Sequence, residues 1–514
     1  MSAKPKPAAP TGRNKIAQGQ ERSDDALGHE SQNTSRPEVA EESGGLPAGW
    51  RWMRADEVGV VHLGRQRSPK NRSAEFPTKY LRAANITENG INLSDVLEMD
   101  FKPSERERYQ LQPGDIVLSE ASGSPSQVGK PAVWKGELPL CCFQNTVIRL
   151  RPREADSKYL LWLFTHFYRN GIFAQVAGGV GINHLSAAKF SRLALPIAPP
   201  DEQHRIVAEI EKQFTRLEAG VAALQRVQAN LKRYRAAVLK AACEGRLVPT
   251  EAELQKSEGR GQKSKAGYET GEALLARILT ERRQNWQGRG KYKEPAAPDT
   301  TNLPSLPESW TWVSWEMVLA HEDGAFKRGP FGSALTKAIF VEKGFKVYEQ
   351  YCPINDDCSF ARYYITPEKF EELQAFEVKA GDYLISCSGV TLGRITRVPE
   401  QFERGIINQA LLRVRINESV INHRYFLHLF RSALFQKAIF DNSTGSAIPN
   451  VKGVKELKAM AIPLPPLAEQ TRIVAEVERR LSVVEELESV VSANLQRATR
   501  LRQSILQRAF SGKL

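Results

Sequence analysis

The most regular pattern in the chain is a stripe of apolar residues stepped alternately by four and three. From Ile210 it runs through Phe214, Leu217, Val221, Leu224, Gln228, Leu231, Arg235 and Val238 to Ala242. A second stripe runs from Val477 through Leu481, Val484, Glu488, Val491, Leu495, Ala498, Arg502 and Ile505 to Ala509. Two positions in each are polar and the rest apolar, the spacing of a coiled-coil seam. Pro199 and Pro200, and Pro465 and Pro466, stand just ahead, where proline is tolerated. Gly245 and Gly512 stand where a glycine can end a helix. Two long helices are predicted, over 201–247 and 468–514, and equal seams in one chain most simply pair with each other. At about 1.5 Å per residue each is on the order of 70 Å long.

The helices belong to a repeat. LPIAPPDEQHRIVAEIE (195–211) and IPLPPLAEQTRIVAEVE (462–478) match at 10 of 17 positions at an offset of 267, which carries on from VLKAACEGRL (238–247) to ILQRAFSGKL (505–514). Looser echoes precede: LPAGWRW (46–52) and LPESWTW (306–312), LQPGDIVLS and VKAGDYLIS, FQNTVIRLR and INQALLRVR, YLLWLF and YFLHLF. The chain is therefore two copies of one unit, a variable globular part followed by a retained helix. Such a pseudo-twofold molecule suits two copies of a partner or the two halves of duplex DNA.

Alternation in 115–119 and 147–151 predicts strands, and Tyr159 to Phe167 has helical spacing, so the globular parts at 46–200 and 304–467 read as α/β or α+β. The polar stretch 248–303, with one amphipathic helix from Ala273 to Arg283, reads as a connector. Residues 1–45, rich in Ala, Pro, Ser and charge, are expected to be disordered.

Charge sharpens this. Of 514 residues 72 are basic and 59 acidic, net +13, which favours a polyanion partner. The first globular part counts 20 basic against 14 acidic residues, the second 19 against 18. The first is therefore expected to hold phosphates more through charge. No apolar run is long enough for a membrane span and no secretory leader is visible, so a cytoplasmic protein is expected. Six cysteines without ligand spacing argue against zinc and against a disulfide framework.

A search for catalytic parts returns little. Gly261-Gln-Lys-Ser is too short for a phosphate loop, and Gly178-Gly-Val-Gly181 has the wrong spacing for a dinucleotide fingerprint. Glu377-Val-Lys379 with Asp356 and Asp357 loosely mimics a nuclease triplet, but its counterpart is Gln110-Leu-Gln112. The Gly114-Asp115 and Gly381-Asp382 pairs read as turns before strands. What remains are polar loops suited to nucleic acid: Arg65, Arg67, Lys70, Asn71 and Arg72; Ser122, Ser124, Gln127 and Lys130; and Asn183. The second copy offers Lys327, Arg328 and Ser333, then Ser388, Thr391 and Arg394, then Ser446 and Asn450. Small residues admit phosphates, and Arg, Asn and Gln can read base edges.

The duplicated PxxPPxxEQxxIV-like run, the helix ending in ILQRAFSGKL, LPESWTW and the GKYKEP stretch resemble the specificity subunits of type I restriction–modification systems, over essentially 46–514. The resemblance implies two target recognition domains, each reading half of a split, asymmetric DNA sequence. It implies two long helices paired antiparallel to set the gap between half-sites. It implies no catalytic site and no bound cofactor in this chain. Two methyltransferase subunits using S-adenosylmethionine, and an ATP- and Mg2+-dependent restriction subunit, would be the partners. Gln203, Arg205, Arg246, Gln470, Arg472 and Lys513 are then expected to face them. The competing class is a coiled-coil protein scaffold in another defence complex.

Overall fold

The structure is a computed structural model that describes residues 45–68, 75–122, 127–177, 183–258, 268–286, 291–389, 391–440 and 451–514. It divides into two compact units, residues 1–213 with 503–514, and residues 214–502. Both boundaries fall inside the long helices, which span Pro200–Cys243 and Leu467–Phe510.

In the first unit Gly59–Leu63, Val147–Pro152, Ile116–Ser119 and Pro131–Val133 form, in that spatial order, an antiparallel sheet. Beside it Cys141–Phe143, Pro77–Leu81 and Leu97–Asp100 form a mixed sheet whose first pair is parallel. Arg51–Arg54 pairs with Ala194–Ile197, closing the globular part just ahead of the helix. The second unit repeats the plan. Phe326–Arg328, Leu411–Val414, Tyr383–Ser386 and Ile395–Arg397 make the four-stranded sheet. Tyr364–Ile365, Phe345–Tyr348 and Gly405–Ile407 make the mixed one, and Thr311–Ser314 pairs with Ala461–Leu464. In both sheets of four, the last strand in sequence lies between the first and the second. The class is α+β, one of the two that the alternation left open.

The Gly-Asp pairs are structural. Asp115 and Asp382 are buried, and each accepts a backbone N–H within its own turn, from Gln112 at 2.8 Å and Lys379 at 2.8 Å. Each also holds an arginine in two-pronged contact, Arg151 at 2.7 and 2.8 Å and Arg415 at 2.6 and 3.1 Å. Two residues earlier, Arg149 and Arg413 are buried and donate to the carbonyls of Gln110 and Glu377. Burial pulls both guanidinium groups down to about 10, so they stay cationic at neutral pH. These four arginines are spent inside the fold, so the charge counted along the chain overstates what faces a polyanion.

The glutamines of the retained EQ pair are joints. Gln203 is buried, accepts from Asp156 N at 2.8 Å and donates to Ala198 O at 2.8 Å. Gln470 accepts from Asn422 N at 2.7 Å and donates to Pro465 O at 2.9 Å and Val420 O at 3.2 Å. Asp156 and Asn422 are the N-caps of Ser157–Arg169 and His423–Arg431, the helices predicted from YLLWLF and YFLHLF. Tyr159 and Tyr425 donate to Pro196 O and Pro463 O, and the ion pairs Lys158–Glu211 (3.0 Å) and Arg424–Glu478 (2.8 Å) repeat on the rim. Each globular part is thereby pinned to the start of its own long helix.

The end of the other helix completes each unit. In the first, Phe510 packs edge-on against Tyr159, with centroids 5.4 Å apart. Gly512, at φ +69, lies so close to Pro47 that a Cβ would overlap the ring. In the second, Val238, Leu239, Ala242 and Cys243 enter the main core, and Gly245, at φ +67, lies against Pro307 in the same way. Midway, Leu231, Val484 and Val491 form one buried cluster flanked by Leu224 and Leu495. Two polar residues of the seams meet there, Arg235 with Glu488 at 3.1 Å, and Arg502 stands 3.4 Å from Glu218.

The stretch 248–303 is more than a connector. Leu274 and Ile278 of the helix Gly271–Gln284 are buried in the second unit's core, and a further helix, Glu251–Glu258, was not evident from the pattern. Glu251 ties this segment down: its N–H donates to the buried Glu469 at 3.1 Å and its carboxylate pairs with Arg472 at 2.5 Å. Among the described residues no helix is long and apolar enough to cross a membrane.

Candidate nucleic-acid interface

Antiparallel pairing brings the predicted loops together. Gly59–Leu63 and Ile116–Ser119 both run antiparallel to Val147–Pro152, so both end where that strand begins, with Leu63 opposite Ile148 and Ser119 opposite Val147. The loops leaving Leu63 and Ser119 therefore share one end of the sheet. The third joins them, because Asn183 and His184 pair with Ser122 and Ala121, and Leu185 N donates to Glu120 O at 2.9 Å. The second unit does the same: Arg328 lies opposite Leu412 and Ser386 opposite Leu411. Val451, next after the third predicted loop, donates its N–H to Cys387 O at 3.1 Å.

The middle loop is one device built twice. Ser119 Oγ donates to Gln127 O at 2.8 Å and accepts from Lys130 N at 3.0 Å. Ser386 Oγ donates to Thr391 O at 2.8 Å and accepts from Arg394 N at 2.9 Å. A glycine with positive φ, Gly129 (+76) or Gly393 (+73), directs the chain just before each cation. A buried serine thus closes a loop three residues longer in the first copy and leaves a cation at the same place in both. Lys130 and Arg394 form no ion pair among the described residues.

The outer loops correspond less closely than the sequence comparison suggested. Gly64 and Gly329 occupy equivalent places, each so close to the backbone at Gln144 or Asn408 that a Cβ would overlap a carbonyl oxygen. Arg65 thus matches Pro330, while Lys327 and Arg328 still lie in the strand. Lys327 sits over the Phe376 ring at 5.2 Å and Arg328 near Phe331 at 5.8 Å. Arg65 is half-buried, pairs with Glu105 at 3.0 Å, donates to Asp100 O and lies over Phe101. It braces the loop, whereas Arg67 is exposed. Ser388 accepts from Gln350 Nε2 through its carbonyl (2.8 Å) and hydroxyl (3.1 Å). Ser333 lies in the short turn Gly332–Ala334. Lys70, Asn71, Arg72, Ser124, Ser446 and Asn450 lie outside the described residues.

Among the residues expected to face partners, Gln203 and Gln470 are withdrawn from that role, because their amides are buried and engaged inside each unit. Arg472 is committed to Glu251 and to Pro249 O at 3.4 Å, and Arg246 is paired with Glu244. Arg205 and Lys513 are exposed. A second apolar line, not predicted from the seam spacing, runs along the helix Leu467–Phe510 one position before the seam. Val483 and Val490 are each 50% exposed and Leu487 44%. Val227 and Tyr234, seven apart on the other helix, are likewise exposed. The signal was present as apolar residues beyond the seam positions.

The nuclease-like residues are dispersed into structural contacts. Glu377 pairs with Arg404 at 2.7 Å, and Asp356 accepts from Thr396 Oγ1 at 2.6 Å and pairs with Arg431 at 3.0 Å. Among the described residues no group of three or more His, Cys, Asp or Glu side chains could hold a metal ion.

Comparison with known proteins agrees with this arrangement. The family model described as type I restriction modification DNA specificity domain matches residues 47–224 and 332–488, one match over most of each globular part and roughly the first half of its helix. The specificity subunit of the StySPI type I restriction enzyme of Salmonella potsdam is 26% identical over 92% of this chain and 90% of its own length. That of EcoKI from Escherichia coli K12 is also 26% identical, over 92% and 90%. A chain from a solved structure concerned with complex assembly and conformational transition of the type I R-M system shares the fold. Its TM-score is 0.60 at 20% identity, over 92% of this chain and 100% of that one. A family model matched twice, over more than half of the residues, places this chain in the family of type I restriction–modification specificity subunits, the DNA-recognition components of those systems.

Proposed function

We propose that the chain reads a bipartite, asymmetric duplex sequence, one half-site for each globular part, and takes no chemical step itself. The observation that carries this is that, in both units, the described flanks of three sequence-distant polar segments meet at one end of a four-stranded sheet. Loops are the segments that can vary while the sheet beneath them stays fixed. A cation at the same place in both middle loops suits a phosphate, and the neighbouring Ser, Thr, Gln and Asn side chains suit base edges.

The two long helices act as a ruler in this reading. Arg235 lies beside Glu488 and Arg502 beside Glu218, so as one index rises the other falls, which supports an antiparallel pair. The two units, alike in topology and in their joints, would then be related by a pseudo-twofold. A rod of fixed length sets the groove positions that the two readers reach. Its second apolar line, Val483, Leu487 and Val490, is the surface we assign to two methyltransferase subunits, with a restriction subunit recruited to that core. Methyl transfer would use S-adenosylmethionine, and cleavage ATP and Mg2+, all on the partners, and the complex would work in the cytoplasm.

The test is the methylome of cells expressing this chain with its methyltransferase. The expected result is a two-part motif with a fixed gap. Exchanging residues 46–200 for another reader should change one half and leave the other. A change in both halves, or no new methylated motif, refutes the two-reader assignment.

A further inference from the structure

We infer that Phe331 is a wedge, which the second reader inserts between two stacked base pairs of its half-site. The inference rests on the reading of this chain as a duplex-DNA reader.

Phe331 is 70% exposed, the most of any large apolar side chain among the described residues. Keeping such a ring in water forgoes about 2 kcal/mol of burial, so its place at a loop tip needs a reason. The tip is stiff. Gly329 is wedged against the Asn408 backbone, its N–H donates to Leu411 O at 2.9 Å, and Pro330 fixes its own φ. Gly332, at φ +69, then turns the chain away. The ring is thus presented by restrained backbone, with the Arg328 guanidinium 5.8 Å from its centroid.

The tip leaves the same end of the sheet as the Ser386–Arg394 loop. A large aromatic ring beside the Arg328 cation, at an end already assigned to a polyanion, fits a base step better than an apolar protein surface. Phenylalanine is among the side chains that proteins drive between base pairs, unstacking them and bending the duplex. The first reader has Gln66 two residues after Gly64, where the second has Phe331 two after Gly329. Unstacking should therefore occur in one half-site only. The second reader, nearly neutral in net charge, would gain by stacking what the first gains from phosphates.

The experiment uses the full chain in complex with its methyltransferase and duplexes carrying the methylated motif. 2-Aminopurine is placed at each position of the second half-site in turn. With the native chain, fluorescence should rise on binding at one step. Phe331→Ala should abolish that rise and weaken binding roughly 5- to 150-fold, while Phe331→Trp retains both. A base extruded by the methyltransferase would also brighten, but that rise should persist in Phe331→Ala. Hydrogen exchange in the strands Leu411–Val414 and Tyr383–Ser386 should match the native chain in both variants, which confirms that the second unit is folded. If the native complex binds its motif and no rise depends on Phe331, the wedge is wrong and the DNA reading stands. If the native complex binds no duplex specifically, both fall together.

Discussion

Replacing Gln470 by alanine separates a structural joint from a partner contact. In the native chain its amide makes three hydrogen bonds with no exposure to solvent: Asn422 N at 2.7 Å, Pro465 O at 2.9 Å and Val420 O at 3.2 Å. Alanine leaves one donor and two acceptors without partners. A buried unsatisfied group costs about 1–3 kcal/mol, and water entering the vacated space recovers part of it. A net loss of roughly 3–4 kcal/mol is expected, confined to the second unit. Glutamate does no better, because it keeps the acceptor for Asn422 N but turns a carboxylate toward two carbonyl oxygens. Hydrogen exchange reads the effect locally, which suits a chain of two units better than one melting temperature. Amides at the start of the helix His423–Arg431 should exchange on the order of 100- to 1000-fold faster, with those of Ser157–Arg169 unchanged. Gln203→Ala should give the mirror-image pattern. If Gln470→Ala left exchange near Asn422 unaltered yet abolished binding of the methyltransferase, Gln470 would be a partner contact and the joint would be refuted.

Removing one heptad from the middle of both long helices should shorten the recognised gap by about three base pairs, scored by methylome sequencing; an unchanged gap would falsify the ruler. Lys130→Ala and Arg394→Ala should each lower the salt dependence of duplex binding by about one unit of log–log slope, with base preference little changed. Equal slopes before and after would mean that the shared cation position does not meet phosphate. Burial holds the imidazoles of His166 and His428 down to about 4, below the ordinary 6.5. The unfolded chain therefore binds more protons between those values, and stability falls as pH drops through that window, by up to about 3 kcal/mol for each histidine. His166→Phe and His428→Phe should flatten urea unfolding against pH in the first and second unit respectively. A profile unmoved by either would contradict the assignment.

Much of this was legible in the chain because it is local or periodic. The offset of 267, the 4-3 stripes and the glycines and prolines at the helix ends identify two copies and two long helices before any contact is known. The stripes and end residues reflect backbone geometry within a few residues, and the offset needs only the chain compared with itself. The same locality explains the errors. Arg65 counts as a loop cation until Glu105 and Phe101, distant in sequence, are seen around it. Gln203 and Gln470 resemble retained surface residues until Asp156 and Asn422 are found against them.

Only the tertiary structure decided which end of each sheet carries the loops. It also decided that Arg149 and Arg413 lie buried, with Arg151 and Arg415 half-buried on the aspartates at the opposite end of each sheet, and that Phe331 stands out from the loop end. The physical reason is that strand pairing is non-local. Gly59–Leu63, Ile116–Ser119 and Val147–Pro152 are far apart in the chain, and their antiparallel register sets where their ends meet. A sequence records which residues are cationic or apolar, whereas burial and pairing determine which of them still face a ligand.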